Sequence, residues 1–348
     1  MPDPKASAPS GSTTKGKTRL VSKGSRKTLK HNVLVTGATS TIGRQLVVKL
    51  IHDPNVDKVW AFSRRERPYY FSDLPSDRFT FHRVAPLNVR RLQEICTSPE
   101  FQAANIDTIV HLGFQVGYSG DLDTVRDYNI KGTQNLLNLA LEQPSIRKFI
   151  FLSSAKVFRL HENEPVVLTE SSELDLSIRD EPYVKDLIEA DILCQHEISR
   201  RKLQMLILRP SYVIGRNVHS FFSYYFDSPL LLRVMNHNPM VNLVHSGDVI
   251  RAIRMSVASE TSGVLNIVGR ETLHLKDFIA LTKLPTLSVP ERVIEPAWQA
   301  VRRLRFNRHP FPFRAARPLT HHMLLSGVRA KEEIGYEPEH HVKFDARP

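Results

Sequence analysis

The sequence predicts a doubly wound α/β fold, in which helices cover both faces of a parallel sheet and a smaller carboxy-terminal part follows. Three observations carry this. Short strands that are apolar throughout alternate with amphipathic helices over the first 210 residues, the pattern of strands buried on both faces. A glycine turn joins the first strand to the first helix within "HNVLVTGATSTIGRQLVVKL", residues 31–50. The chain is 348 residues long, 41% hydrophobic and 24% charged, enough to bury a full core.

In order, Val33-Leu34-Val35 reads as a strand and residues 42–51 as a helix. Further strands are expected at 58–62, 79–84, 106–112 and 148–152, with a helical stretch through 129–141 before the last of these. A helix follows Pro182, and 203–208 is a sixth strand. Beyond about residue 210 the rhythm turns irregular, although 264–268 still reads as a strand. Residues about 244–270 are therefore expected to return to the main sheet.

The net charge of +12 is unevenly spread, with eight Lys or Arg against the single Asp3 in residues 1–30. This stretch has no aromatic residue and cannot bury enough apolar surface to fold alone. It reads as a solvated basic tail, or as a tether to nucleic acid or anionic membrane. No apolar run reaches the roughly 18 residues of a membrane span, and no leader core precedes Leu29. With only Cys96 and Cys194 present, a reducing, cytoplasmic setting is expected.

In "TGATSTIG" the turn follows a strand and opens a helix. Thr36, Gly37, Thr39, Ser40, Thr41, Ile42 and Gly43 are thereby candidates for holding a dinucleotide. Gly37 permits the tight turn, and Gly43 lets the helix pack closely on the sheet. Ser40 replaces the middle glycine, narrowing the approach of the phosphates while adding a hydroxyl able to donate to them. An acid that would bind the ribose hydroxyls of NAD is expected about 20 residues on. Position 63 is Ser, followed by Arg64 and Arg65, a cationic pair that suits a 2′-phosphate and favours NADP.

The stretches "TGATSTIG", "IDTIVHLGF", "YNIKGTQNLLNLA", "FIFLSSAKVF", "EPYVKDLIEAD", "LRPSYVIGRN", "VHSGDVIRAI", "GVLNIVGRE" and "KEEIGYEP" occur in this order over about residues 32–338. In them the chain resembles the extended short-chain dehydrogenase/reductase family, specifically its NAD-dependent epimerase/dehydratase branch. The resemblance implies a Rossmann-type domain at 31–210, a mainly substrate-binding part at 211–348, and a homodimer. It also implies that Leu112, Gly113 and Phe114, after His111, lie beside the cofactor, and that Asn129 belongs to the Asn-x-x-Gly-Thr helix. By the same resemblance Ser154 hydrogen-bonds the substrate, Tyr183 is the general acid/base, Arg209 and Pro210 open the loop between the domains, and Asp248 is the acid of an Asp-Val helix.

The chain departs from the family at residue 187, where the lysine of Tyr-x-x-x-Lys is Leu. Four residues on a helix turn about 400° and share a face, whereas Lys185 lies only about 200° from Tyr183. Lys185 supplies the missing cation if the helix starts late, and Lys156 is a second substitute. Pro86 also stands where the family has an aspartate near the adenine. The expected function is an NADP-preferring epimerase/dehydratase-like oxidoreductase acting on a sugar nucleotide or similar hydroxylated metabolite. The alternative is a catalytically impaired module of the same fold that binds a cofactor or a partner.

The fifteen histidines, including His321-His322 and His340-His341, show no metal-ligand spacing, so no metal is expected. The aromatic run "SFFSYYF" from Ser220 either lines the substrate pocket or packs in a core. The arginine-rich stretch after Trp298 reads as a helix over the substrate site or a contact for a membrane surface.

Overall fold

The computed structural model describes residues 30–115, 121–178, 181–200, 202–304 and 316–342. The basic tail (all but Lys30) and residues 305–315 of the arginine-rich stretch lie outside the described residues. The chain begins β1 (His31–Thr36), α1 (Thr41–Ile51), β2 (Val56–Ser63), β3 (Phe79–Arg83), α2 (Val89–Cys96), α3 (Pro99–Ala104) and β4 (Thr108–His111). It continues α4 (Leu122–Glu142), β5 (Lys148–Leu152), β6 (Val167–Leu168), α5 (Pro182–Arg200) and β7 (Gln204–Pro210). Next come β8 (Tyr212–Ile214), α6 (Phe221–Phe226), β9 (Leu231–Val234), β10 (Met240–His245), α7 (Ser246–Ala258) and β11 (Gly263–Ile267). The last elements are β12 (Glu271–His274), α8 (Leu275–Thr282), β13 (Thr286–Val289), α9 (Ile294–Leu304), α10 (Ala316–Thr320), β14 (Leu324–Leu325) and α11 (Val328–Ile334).

Seven strands form one parallel sheet in the order β11-β7-β5-β4-β1-β2-β3. Side chains alternate across it: Leu34 belongs to one buried layer, and Val33 and Val35 to the other. The first layer is closed by Leu136, Leu137, Val184, Leu187 and Ile188 from α4 and α5. The second is closed by Leu46, Val47 and Leu50 of α1 and by Val249 and Ile253 of α7. Each such fully buried side chain stabilises the fold by about 1.5–3 kcal/mol. This is the doubly wound parallel architecture expected from the apolar strands.

β11 pairs with β7 from Gly263 opposite Leu206 to Ile267 opposite Pro210, so the chain comes back to the sheet edge after leaving it. The intervening and following residues build a smaller part around a third core. There β10 runs parallel to β8 and antiparallel to β12. The run from Ser220 is α6, and Phe221, Phe222 and Tyr225 are at most 1% exposed. Tyr225 stacks on Trp298 of α9 at 5.8 Å, and the tilted Phe221 ring lies 5.5 Å from it. That aromatic run is core. No described helix is long and apolar enough to cross a membrane.

The winding reverses between β1 and β4, because the strands from β4 onward lie on one side of β1 and β2 and β3 on the other. At such a switch point the loops beyond the strands' carboxyl ends diverge and leave a crevice.

Candidate cofactor and substrate site

The crevice is walled first by the turn after β1. Gly37 has φ +68°, and a Cβ there would stand 2.7 Å from the Gly113 backbone, so only glycine fits. A Cβ on Gly43 would stand 2.3 Å from the Gly37 carbonyl oxygen. The Ser40 Oγ accepts a 3.0 Å hydrogen bond from the Gly43 amide and caps α1. The serine thus takes up one free amide of the helix start and keeps its own hydroxyl hydrogen. The first-turn amides of Thr41 and Ile42 have no carbonyl within the helix to reach. An anion at this end is favoured by those amides and by the helix dipole.

An open cleft lies over this turn. Of the residues expected to hold a cofactor, Thr36, Gly37, Thr39, Ser40, Ser63, Arg64, Arg65, Leu112, Gly113 and Phe114 line it together. Ser63 ends β2, with its Oγ 2.8 Å from Thr39 Oγ1 and accepting from the Arg65 amide at 3.1 Å. Among the described residues, no carboxylate lines this end of the cleft. Arg64 and Arg65 are exposed at its mouth, with the Arg64 guanidinium 5.5 Å from the Tyr128 ring centroid. Pro86 also lines the cleft, and a Cβ on Gly132 would stand 3.0 Å from it.

The other expected residues lie behind the lining. The Thr41 hydroxyl donates to the Asn217 carbonyl at 2.8 Å, and Ile42 packs into the second core. Asn129 is fully buried. Its Oδ1 accepts from the Gln115 amide at 2.8 Å, while Nδ2 donates to the Gln115 carbonyl and to Asp186 Oδ2, both at 3.0 Å. Asn129 therefore fixes the loop carrying Leu112–Gln115 without lining the cleft. Asp186, held also by Arg126 at 3.1 Å, was missed in the sequence. Only its place on the inward face of α5 signals it.

Arg209 and Pro210, which the resemblance adds to the cofactor-binding residues, lie away from the cleft. Both are buried and neither lines the cleft. The Arg209 guanidinium is held by Asp191 at 2.6 and 3.0 Å and lies 4.8 Å from the Phe158 ring centroid. It ties β7 to α5, and the Ser153 hydroxyl donates to the same carboxylate at 2.5 Å.

The expected substrate side gathers at the ends of β5 and α5. Ser154 caps a tight turn over Ala155–Val157, its Oγ accepting from the Lys156 amide at 3.2 Å. β5 has ended at Leu152, so Lys156 is carried by this turn. Tyr183 stands in the first turn of α5, with its ring edge-on to Phe114 at 5.9 Å. Burial pushes its phenol up to about 12. Leu187 is 1% exposed within the first core.

Lys185, expected as the catalytic cation, is exposed. The helix is regular from Pro182, so the lysine projects from the side opposite Tyr183. Lys156 instead lines a small surface pocket with Glu181, Tyr212 and Arg317. Burial is the main cause that brings its amine down to about 8.

The histidine pairs are held by hydrogen bonds. His340 Nδ1 lies 2.8 Å from Asp248, a buried acid that also accepts two backbone amides, and His341 pairs with Glu271. Among the described residues, Glu162, His237 and Glu291 bring ligand atoms within 4.8 Å of one another, and His237 Nε2 already lies 2.7 Å from Glu162.

The profile of the NAD dependent epimerase/dehydratase family matches residues 33–267. The chain belongs to this family. Solved structures share the fold at low identity. The dTDP-glucose 4,6-dehydratase of Bacillus anthracis, in complex with NAD, is 17% identical, with 89% of this chain and 92% of that one covered and a TM-score of 0.66. The UDP-glucuronic acid 4-epimerase of Bacillus cereus, in complex with UDP-glucuronic acid and NAD, is 19% identical, with coverages of 89% and 95% and a TM-score of 0.64. An uncharacterized protein of Mycobacterium tuberculosis is 22% identical over 317 residues, 88% of this chain and 80% of that protein.

Proposed function

We propose that this family member is an NADP-preferring oxidoreductase of the epimerase/dehydratase type, acting on a sugar nucleotide or a similarly hydroxylated metabolite. The observation that carries the reading is the cleft at the switch point. A turn that admits only glycine at position 37 forms one wall, and Arg64 and Arg65 occupy the end where an acid would read NAD. The residues fit the cofactor. The Thr41 and Ile42 amides and the Ser40 hydroxyl suit the pyrophosphate, and the two arginines suit a 2′-phosphate.

When bound, the nicotinamide takes a hydride from a carbinol carbon or returns one to a carbonyl. The chain's own part is to hold the substrate oxygen. Ser154 does so at the end of β5, and Tyr183, kept protonated by burial, donates a second hydrogen bond. Phe114 stands between the cleft and Tyr183 and covers the reacting region on one side.

The test is a turnover screen with NADP+ and with NADPH against nucleotide sugars and their 4-keto forms, starting from dTDP-glucose and UDP-glucuronic acid. Hydride transfer to or from the cofactor supports the reading. A second reading, a module that binds the cofactor without turnover, is favoured by one observation: Leu187 is core and Lys185 is solvent-facing. Tight NADPH binding with no turnover of any compound selects that reading.

A further inference from the structure

Three segments distant in sequence converge beside the β9–β13 pair. These strands run parallel and end level, with Val289 opposite Val234. Past its end β9 turns through Asn236, whose φ is +64°, and reaches His237. Past its end β13 runs through Pro290 into a short helical turn that starts at Glu291. The third segment follows the turn over Ala155–Val157 and is fastened to the carboxy-terminal part by a bridge between His161 and His322. Glu162 is its next residue. One imidazole nitrogen and two carboxylates thereby bring ligand atoms within 4.8 Å of one another. Glu162 and His237 are 75 residues apart, which is why the spacing of the histidines gave no sign of this group.

The His237 ring is oriented from behind. Its Nδ1 lies 2.9 Å from the Met235 carbonyl oxygen, which can only accept, so Nδ1 carries a proton and donates it. The neutral imidazole therefore directs the lone pair of Nε2 at Glu162, whose Oε1 is 2.7 Å away. Two electron-rich atoms at that distance need a positive charge in common, either a proton on Nε2 or a metal ion. A proton offsets one carboxylate, whereas a divalent cation offsets both Glu162 and Glu291. A carbonyl behind the ring is also the kind of partner that fixes the tautomer and orientation of a metal-binding histidine.

We propose that Glu162, His237 and Glu291 form a binding site for a divalent cation that accepts nitrogen as well as oxygen, Zn2+ first. The inference is independent of the oxidoreductase reading, since none of the three lines the cleft. An imidazole with carboxylates suits zinc, while magnesium and calcium prefer oxygen alone. Zinc bonds of about 2.0–2.2 Å in a tetrahedral set place ligand atoms roughly 3.3 Å apart. Small side-chain rotations reach that spacing, because Glu291 is exposed and Glu162 and His237 are only partly buried. The bound ion ties the segment leaving the Ser154 turn to the ends of β9 and β13, and so stabilises the folded chain.

The experiment is calorimetric titration of the full chain, freed of metal by a chelator, with Zn2+ alone, alongside thermal unfolding with and without the ion. The wild type should bind zinc and unfold at a higher temperature in its presence. His237→Ala and Glu291→Gln should each weaken zinc binding by about 100-fold, at least the loss seen when a ligand's supporting partner is removed. His341→Ala, at a histidine–carboxylate pair elsewhere, should leave it unchanged. Magnesium should bind the wild type about 100-fold more weakly than zinc does. No zinc binding by the wild type, equal zinc affinity in Glu291→Gln, or magnesium affinity matching that of zinc overturns the proposal. If His237→Ala fails to fold, Glu291→Gln, a nearly isosteric exchange at an exposed position, decides alone.

Discussion

Asn129 and Asp186, 57 residues apart in the chain, are joined by a 3.0 Å hydrogen bond from Nδ2 to Oδ2 behind the loop that borders the cleft. The same amide satisfies both backbone groups of Gln115. One side chain thereby binds α4, α5 and the loop after β4 into a single support. Replacing Asn129 by Ala leaves a carboxylate oxygen and two backbone groups without this partner. We expect a loss of about 1–3 kcal/mol in urea unfolding, together with weaker NADPH binding by fluorescence titration. Wild-type affinity in a destabilised variant would separate Asn129 from the cleft.

The Arg209–Asp191 pair is 1% and 0% exposed at its two side chains. Removing one partner of a buried pair costs more than the pair contributes, because the other charge is left uncompensated. Arg209→Met is expected to lower stability by about 3–5 kcal/mol. Cofactor affinity of the folded fraction should not change, since Arg209 lies off the cleft lining. A selective loss of affinity at unchanged stability would return Arg209 to the cofactor site.

Leu187→Lys restores the family's residue in name only. The leucine is 1% exposed among Val184, Ile188 and Leu137. The substitution forfeits about 2 kcal/mol of apolar burial and adds the cost of desolvating an amine. Thermal unfolding should fall and turnover should not rise. A faster enzyme would show that residue 187 reaches the substrate site.

His111 makes the fold sensitive to acid. Its ring is fully buried, with Nδ1 2.6 Å from Thr36 Oγ1 and Nε2 3.1 Å from Thr133 Oγ1. The Thr133 hydroxyl donates to the Asn129 carbonyl at 2.6 Å. It therefore accepts from His111 Nε2–H, which leaves Nδ1 as the acceptor for Thr36. Burial pulls this imidazole down to about 3, whereas unfolded it titrates at 6.5. Between these values the unfolded chain holds the extra proton, so stability falls as pH falls, by up to about 1.4 kcal/mol per unit. Urea midpoints between those limits should drop less steeply in His111→Gln than in the wild type. Parallel slopes would contradict this assignment.

The doubly wound fold was legible because both signals are local: apolar strands at βα spacing, and a glycine turn between strand and helix. Most of the cleft lining was legible for the same reason, since Gly37, Ser40, Ser63 and Arg64 act from turns next to strand ends. The rest is decided by tertiary contact. Arg209 of β7 borders an interdomain loop in sequence, yet its guanidinium is held by Asp191 of α5. Lys185 is exposed because α5 starts at Pro182 and stays regular. The partners of Asp186 are not legible from the sequence, since they lie about 60 residues away.

The central claim is that the altered glycine turn still holds a dinucleotide and that the arginines after β2 select the phosphorylated form. The most direct test is a fluorescence titration of the full chain with NADPH and with NADH, repeated on the Arg64→Ala/Arg65→Ala variant. The account predicts binding of both, with NADPH favoured by about 10-fold or more through charge-assisted contacts and that preference lost in the variant. Binding of neither cofactor, or equal affinity for both in the wild type, would contradict it.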